Sequence, residues 1–146
     1  MAKPFAFKLE KVLDYRGQLE EQAKGELAKA RRAYDAQLAA VDDLGVKLRE
    51  HLAAGEDARR SVNEMWLWRQ YKDALQQDLA RERAVLQTLE LKLHQRRLEA
   101  VERSKDRKLL EKLKETQARK HHEEASAREE KENDEMAALR HESQDI

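Results

Sequence analysis

Residues 51–71 read HLAAGEDARRSVNEMWLWRQY, and the fold turns on this stretch. One long helical pattern runs up to it and a longer one runs away from it. Gly55 stands where the first pattern stops. Ser61-Val62-Asn63-Glu64 has the form of a capping box, which starts a helix by satisfying its first free amides. Trp66, Trp68 and Tyr71 follow at once. The stretch reads as the tip of an antiparallel helical hairpin.

Working outward on the N-terminal side, apolar residues recur at Leu9, Val12, Leu19, Ala23, Leu27, Ala30, Tyr34, Leu38, Val41, Leu44, Leu48 and Leu52. The gaps are mostly three and four, between the coiled-coil period of about 3.5 and the straight-helix period of about 3.6. Nothing alternates with the period of two that a strand needs. Gly17, Gly25 and Gly45 interrupt the pattern without stopping it, because the apolar phase continues past each. Gly45 is a second place for the turn, but Leu48 and Leu52 keep the phase beyond it. Pro4, the single proline, lies at the entrance, where a first helical turn tolerates a missing N–H. Two readings fit Phe5 and Phe7: a staple that fixes the helix start, or a docking end for a partner.

On the C-terminal side a second seam runs Trp68, Tyr71, Leu75, Leu79, Leu86, Leu89, Leu93 and Ala100. Asp78, Glu82, Arg96, Arg103 and Arg107 fall near seam positions, so this seam is imperfect. Leu109, Leu110 and Leu113 form its last apolar patch. The expected architecture is all-α: two long helices in an antiparallel coiled-coil hairpin with a C-terminal helical overhang. Helix one is expected over about residues 5–54, the tip over 55–62 and helix two over about 63–140, in one coiled-coil domain spanning 1–146. With the fold-back centred near residue 58, Leu9 would lie opposite roughly residue 107, and residues beyond about 110 would overhang. That overhang is charge-split. Residues 103–122 carry eight basic and three acidic side chains, net +5, and residues 123–146 carry three basic and nine acidic, net −6. It reads as a solvated helix laced with ion pairs, or as a basic collar for an acidic surface followed by a frayed acidic tail.

Composition agrees with a narrow seam rather than a broad core. The chain has 146 residues, 41% charged and 5% aromatic, with Ala, Glu, Lys, Leu and Arg dominant. Formal net charge is zero, whereas a nucleic-acid binder usually carries a basic excess. Cysteine is absent, which removes disulfides and thiolate metal sites and fits a reducing compartment. No apolar run approaches the roughly 20 residues that span a bilayer, and MAKPFAFKLEK lacks the apolar core of a signal peptide. A cytoplasmic protein without direct membrane insertion is expected.

Catalytic chemistry is not legible. His121 and His122 are adjacent and point to different sides of a helix, and no H-E-x-x-H occurs. There is no phosphate loop and no nucleophile elbow, and a two-helix rod offers no deep pocket. The expectation is a non-enzyme with no cofactor and no metal. Trp66, Trp68 and Tyr71 are the best functional candidates. They span less than two turns and cannot all face one seam, so at least one is exposed or folds over the tip. They read either as a binding hot spot or as a plug for the wide end of the hairpin.

The opening Phe5-x-Phe7-x-Leu9-Glu10-x-Val12-Leu13-Asp14-Tyr15-Arg16 resembles the start of FliJ proteins, as do Leu19-Glu20-Glu21-Gln22-Ala23 and Glu26-Leu27-Ala28. Trp68-x-x-Tyr71-x-x-x-Leu75 resembles the aromatic segment that opens the second FliJ helix. FliJ is a small soluble component of the bacterial flagellar type III export apparatus. The resemblance implies an antiparallel coiled coil similar to the stalk subunit of rotary ATPases. It would insert into the hexamer of the export ATPase FliI, which works with FliH. It would contact the membrane export gate FlhA, couple ATP hydrolysis and proton motive force to export, and escort export chaperones. By the same resemblance the gate-binding surface falls on Gln37, Val41, Leu44 and Leu48, with Tyr71, Leu75, Asp78 and Glu82 on the second helix. Leu44 and Leu48 depart from relatives that carry aromatics in that part. The ATPase-facing end falls on Phe5, Phe7, Leu9, Val12, Leu13 and Tyr15, with Arg103, Arg107 and Lys108. The competing expectations are the stalk of a type III injection system, a structural coiled-coil spacer or homodimer, and, least in keeping with the charge balance, a nucleic-acid binder.

Overall fold

A computed structural model of the chain describes residues 3–55 and 61–144. Two helices make up the fold, α1 (Glu10–Gly55) and α2 (Val62–Gln144), packed against each other as a helical hairpin. Residues 56–60, the greater part of the expected tip, lie outside the described residues. The chain divides into two compact units: Met1–Glu20 with Arg103–Ile146, and Glu21–Glu102.

The unit Glu21–Glu102 holds the regular part of the seam. On α1 the buried and half-buried positions are, apart from Gly45 beside the seam, Ala23, Leu27, Ala30, Tyr34, Gln37, Val41, Leu44, Leu48, His51 and Gly55, spaced four and three in alternation. On α2 they are Met65, Trp68, Lys72, Leu75, Leu79, Glu82, Leu86, Leu89, Leu93, Arg96 and Ala100, with the same alternation. This is the 3.5-residue repeat of a left-handed coiled coil. Its driest points are Ala30, Val41, Leu75, Leu79 and Leu93. Leu38 and Leu52, expected in the seam, are 37% and 40% exposed. Their polar neighbours Gln37 and His51 take the seam positions instead, because only that choice keeps the alternation with Tyr34, Val41, Leu48 and Gly55. Tyr71 is likewise exposed, and Lys72 occupies the seam position.

Ser61 starts α2 as the sequence predicts. Its Oγ accepts the Glu64 backbone N–H at 3.1 Å, and its carbonyl accepts the Met65 N–H at 3.0 Å. A cap of this kind contributes about 1 kcal/mol. Gly17, Gly25 and Gly45 all lie within α1, which continues through them.

In the other unit the chain enters without regular structure over residues 3–7 and turns at Lys8 and Leu9 before α1 begins. Helix one therefore starts at Glu10, not near residue 5, and Pro4 lies upstream of its first turn. Glu10 N–H donates to the Phe7 carbonyl at 3.2 Å, and Leu13 N–H to Leu9 at 2.9 Å. The irregular entry is held by its aromatics. Phe7 is buried, and the Phe5 ring lies 5.7 Å from the His121 imidazole. Non-helical chain covers roughly twice the length per residue of a helix, so the entry reaches far along α2. Leu9 and Val12, expected in the seam, are 39% and 41% exposed.

Pairing in this unit runs antiparallel through Glu20 with Arg107, Arg16 with Asp106, Glu10 with Lys114, and Phe5 with His121. Glu10 facing Lys114 moves the paired stretch of α2 well past residue 110, where the overhang was expected to begin. Burial fades only after Ala125, and residues 126–144 are exposed throughout while remaining helical.

Candidate partner-binding surfaces

In the unit Glu21–Glu102, the helix ends near the turn are fastened by an aromatic cluster. Trp68 Nε1–H donates to the His51 carbonyl at 3.1 Å, and His51 Nε2 meets the Trp68 carbonyl at 2.8 Å. The carbonyl only accepts, so the imidazole carries its proton on Nε2. The two rings stack at 5.0 Å, and Tyr71 meets His51 edge-on at 4.6 Å. Lys72 Nζ stands 5.6 Å from the indole centre, within cation–π range.

Gly55 completes this cluster. A Cβ built on it would fall inside the Trp68 ring. No described glycine has a positive φ, so Gly55 is not a left-handed stop. It is the seat of the indole.

The three clustered aromatics thus divide their roles. Trp68 packs between the described helix ends, against His51 and Gly55. Trp66 is 57% exposed, and Val62, four residues earlier on the same helix face, is 87% exposed. Leu67 and Tyr71, also four apart, are 54% and 51% exposed. These two short apolar rows show in the sequence only as i,i+4 spacing; Val62 and Leu67 belong to no seam and carry no other signal.

Of the gate-binding candidates, Val41 and Leu75 are buried and Gln37, Leu44, Leu48 and Glu82 are half-buried in the seam. Gln37 Nε2 donates to the Glu82 carboxylate and, at 3.0 Å, to the Glu82 carbonyl, so these two are engaged with each other. Tyr71 and Asp78 face solvent, and Asp78 accepts from Arg81 at 3.0 Å.

Of the ATPase-facing candidates, Phe7 is buried and Phe5 and Leu13 are half-buried. Leu9, Val12 and Tyr15 are exposed, Tyr15 at 59%. Arg103 and Lys108 are exposed, whereas Arg107 turns into the seam. There Arg107 Nε–H donates to Glu20, and its Nη1 lies 2.6 Å from Glu111. The hydrogen bond with Glu20, and then that with Glu111, holds the guanidinium above its already high ordinary pKa. Glu20 is 3% exposed, and the sequence hides it because it sits beside Leu19. The concavity by Lys3 and His121 is walled mainly by charged side chains: Glu124, Arg128, Glu129 and Glu132.

Among the described residues no three His, Asp or Glu side chains are placed to hold a metal ion. No described helix is long and apolar enough to cross a membrane.

The exposed rows and charged positions on these helices are candidate partner surfaces. The family described as Flagellar FliJ protein matches residues 5–145. No curated protein and no solved structure matches the chain. A match across both helices, on a chain folded as a helical hairpin, places the protein: it belongs to the FliJ family, a structural component of the flagellar export apparatus.

Proposed function

We propose that this chain is a stalk-like coupling factor of the export apparatus, binding the FliI ATPase hexamer (with FliH) and the FlhA gate. It associates with the cytoplasmic face of the membrane through those partners and hands on export chaperones. One observation carries the ATPase half. Leu9, Val12 and Tyr15 are exposed near the start of α1, and the same compact unit exposes Arg103 and Lys108 on α2. Exposed apolar side chains and exposed cations in one unit suit a contact with an acidic protein surface. For the gate half, the exposed candidates are Tyr71 and Asp78, and Trp66 is exposed earlier on α2. The six seam candidates support that surface from beneath.

The test is co-purification with the cognate ATPase, reading hexamer assembly and hydrolysis rate. Deleting residues 5–15 would remove buried Phe7 and the Glu10–Lys114 pair, so point substitutions are the cleaner perturbation. Val12→Asp with Tyr15→Ala should abolish stimulation while leaving helicity and FlhA binding intact. Unchanged stimulation would refute the assignment of this end. A spacer with no export role predicts binding to neither partner.

A further inference from the structure

In the unit formed by Met1–Glu20 and Arg103–Ile146, the seam carries a charge where a coiled coil normally takes an apolar side chain. Glu20 continues the three–four spacing of Leu13 and Arg16 and is the one buried charged side chain among the described residues. Arg107 donates to its carboxylate and also reaches Glu111. Arg16, one seam position earlier, donates to the Asp106 carbonyl at 2.9 Å. No buried side-chain polar atom among the described residues lacks a partner, so the layer is closed.

A buried ion pair is a poor means of gaining stability, since apolar residues of similar size often do as well or better. Its well-attested use is to fix register in a helical seam. A seam of leucines and alanines is nearly degenerate to a seven-residue slip, because each seam position is then replaced by an equivalent one.

We propose that the Glu20–Arg107 layer, with Glu111 in support, is a register lock that selects one alignment of α1 on α2. It disfavours both slipped pairing and pairing with a second copy of the chain. A slip of one heptad sets Arg107 against Leu13 or Leu27, according to direction, and separates it from Glu20. The buried Glu20 carboxylate then loses its contact with Arg107, which keeps only Glu111 on its own helix. The Gln37–Glu82 contact of the other unit has the same character, a polar pair at seam positions, and serves the same purpose there.

The absence of cysteine makes the test direct. Cysteines placed at exposed Gln18 and Lys120 carry nitroxide labels, staggered along the helices so that a slip changes their separation by most of its length. One heptad is about 10 Å of helix. With the native layer, pulsed EPR should give one narrow distance and light scattering a monomer. The variant E20L/R107L should stay helical but add a second distance displaced by about 10 Å, a dimer, or both. The charge-reversed variant E20R/R107E/E111K, with Glu111 changed because it flanks Arg107, should return one narrow native distance and the monomer. A single native distance in a monomeric E20L/R107L protein would overturn the proposal. So would a reversed variant that stays heterogeneous, and that variant decides alone if the leucine variant loses its helicity.

Discussion

Alanine in place of Gly55 should destabilise the hairpin, against the ordinary rule for helical glycines. In open helix, Gly→Ala is worth about 1 kcal/mol of stability. Gly17, Gly25 and Gly45 have nothing within 4 Å of a built Cβ, so each should gain up to that amount as alanine. At Gly55 the added methyl falls inside the indole of Trp68. Relief requires Trp68 to leave its seat. The move breaks the Nε1–H bond to His51, worth about 1 kcal/mol. It also loses the stack on His51, worth about 0.5–1.5 kcal/mol. Set against the helix-propensity gain of about 1 kcal/mol, the net loss is about 0.5–1.5 kcal/mol, at the low end of the range for an overpacked core. For a chain of this size that lowers Tm by about 2–4 °C at the middle of the range. Circular dichroism melts give the Tm. A Trp66→Phe background leaves Trp68 as the single tryptophan, so its selectively excited emission reports whether the indole has become wet. A G55A protein that melts higher than wild type, in step with the other three alanine variants, would refute the packing argument.

Other outcomes follow from the same seam. Leu75→Ala and Leu79→Ala, both 5% exposed, should each cost about 2–5 kcal/mol in chemical denaturation. Leu91→Ala and Leu98→Ala, 63% and 54% exposed, should stay within about 0.5 kcal/mol of wild type. Ser61→Ala should cost about 1 kcal/mol, seen first as faster hydrogen exchange at the Glu64 amide. Arg107 has a raised pKa in the folded chain, so its contribution is fully present below the ordinary arginine value and fades only as pH rises through the raised one. The stability difference between wild type and R107M should therefore be flat from about pH 6 to pH 10. A slope there in urea melts would show that some other group titrates in the layer.

The start of α2 was legible because its signals are local. Ser61 and Glu64 specify the start of α2 from four residues alone, and the structure uses the cap as written. The seam was legible over most of its length, and the expected positions Leu38, Leu52 and Tyr71 are the exceptions in the unit Glu21–Glu102. Leu38 and Leu52 draw the eye, yet Gln37 and His51 hold the seam, since helix phase follows the whole row of packed side chains and not the hydropathy of one residue. Gly55 read as a stop because its real constraint, an indole thirteen positions later in the chain, is tertiary. The same holds at the entrance. Pro4 is compatible with a first turn, but burial of Phe7 and the Phe5–His121 contact draw the segment out of helix. The candidate surfaces were the least legible part. Resemblance supplied the stretches, and only burial separates Tyr15, Tyr71 and Asp78, which a partner can touch, from Phe7, Val41 and Leu75, which it cannot.

Residues 126–144 continue α2 with no side chain buried. A free peptide of that composition would face the unfavourable nucleation step of a helix, with an equilibrium factor near 10⁻³. Grafted onto a helix already formed, the segment needs only propagation, one hydrogen bond for each residue fixed. Its melting should therefore be gradual, retreating from Gln144 toward Ala125 as temperature rises, and uncoupled from the sharp transition of the hairpin. Salt should tune it through the Glu, Lys and Arg pairs along its surface. Whatever grips this end meets a helix that lengthens and shortens residue by residue, and binding would act by choosing its length.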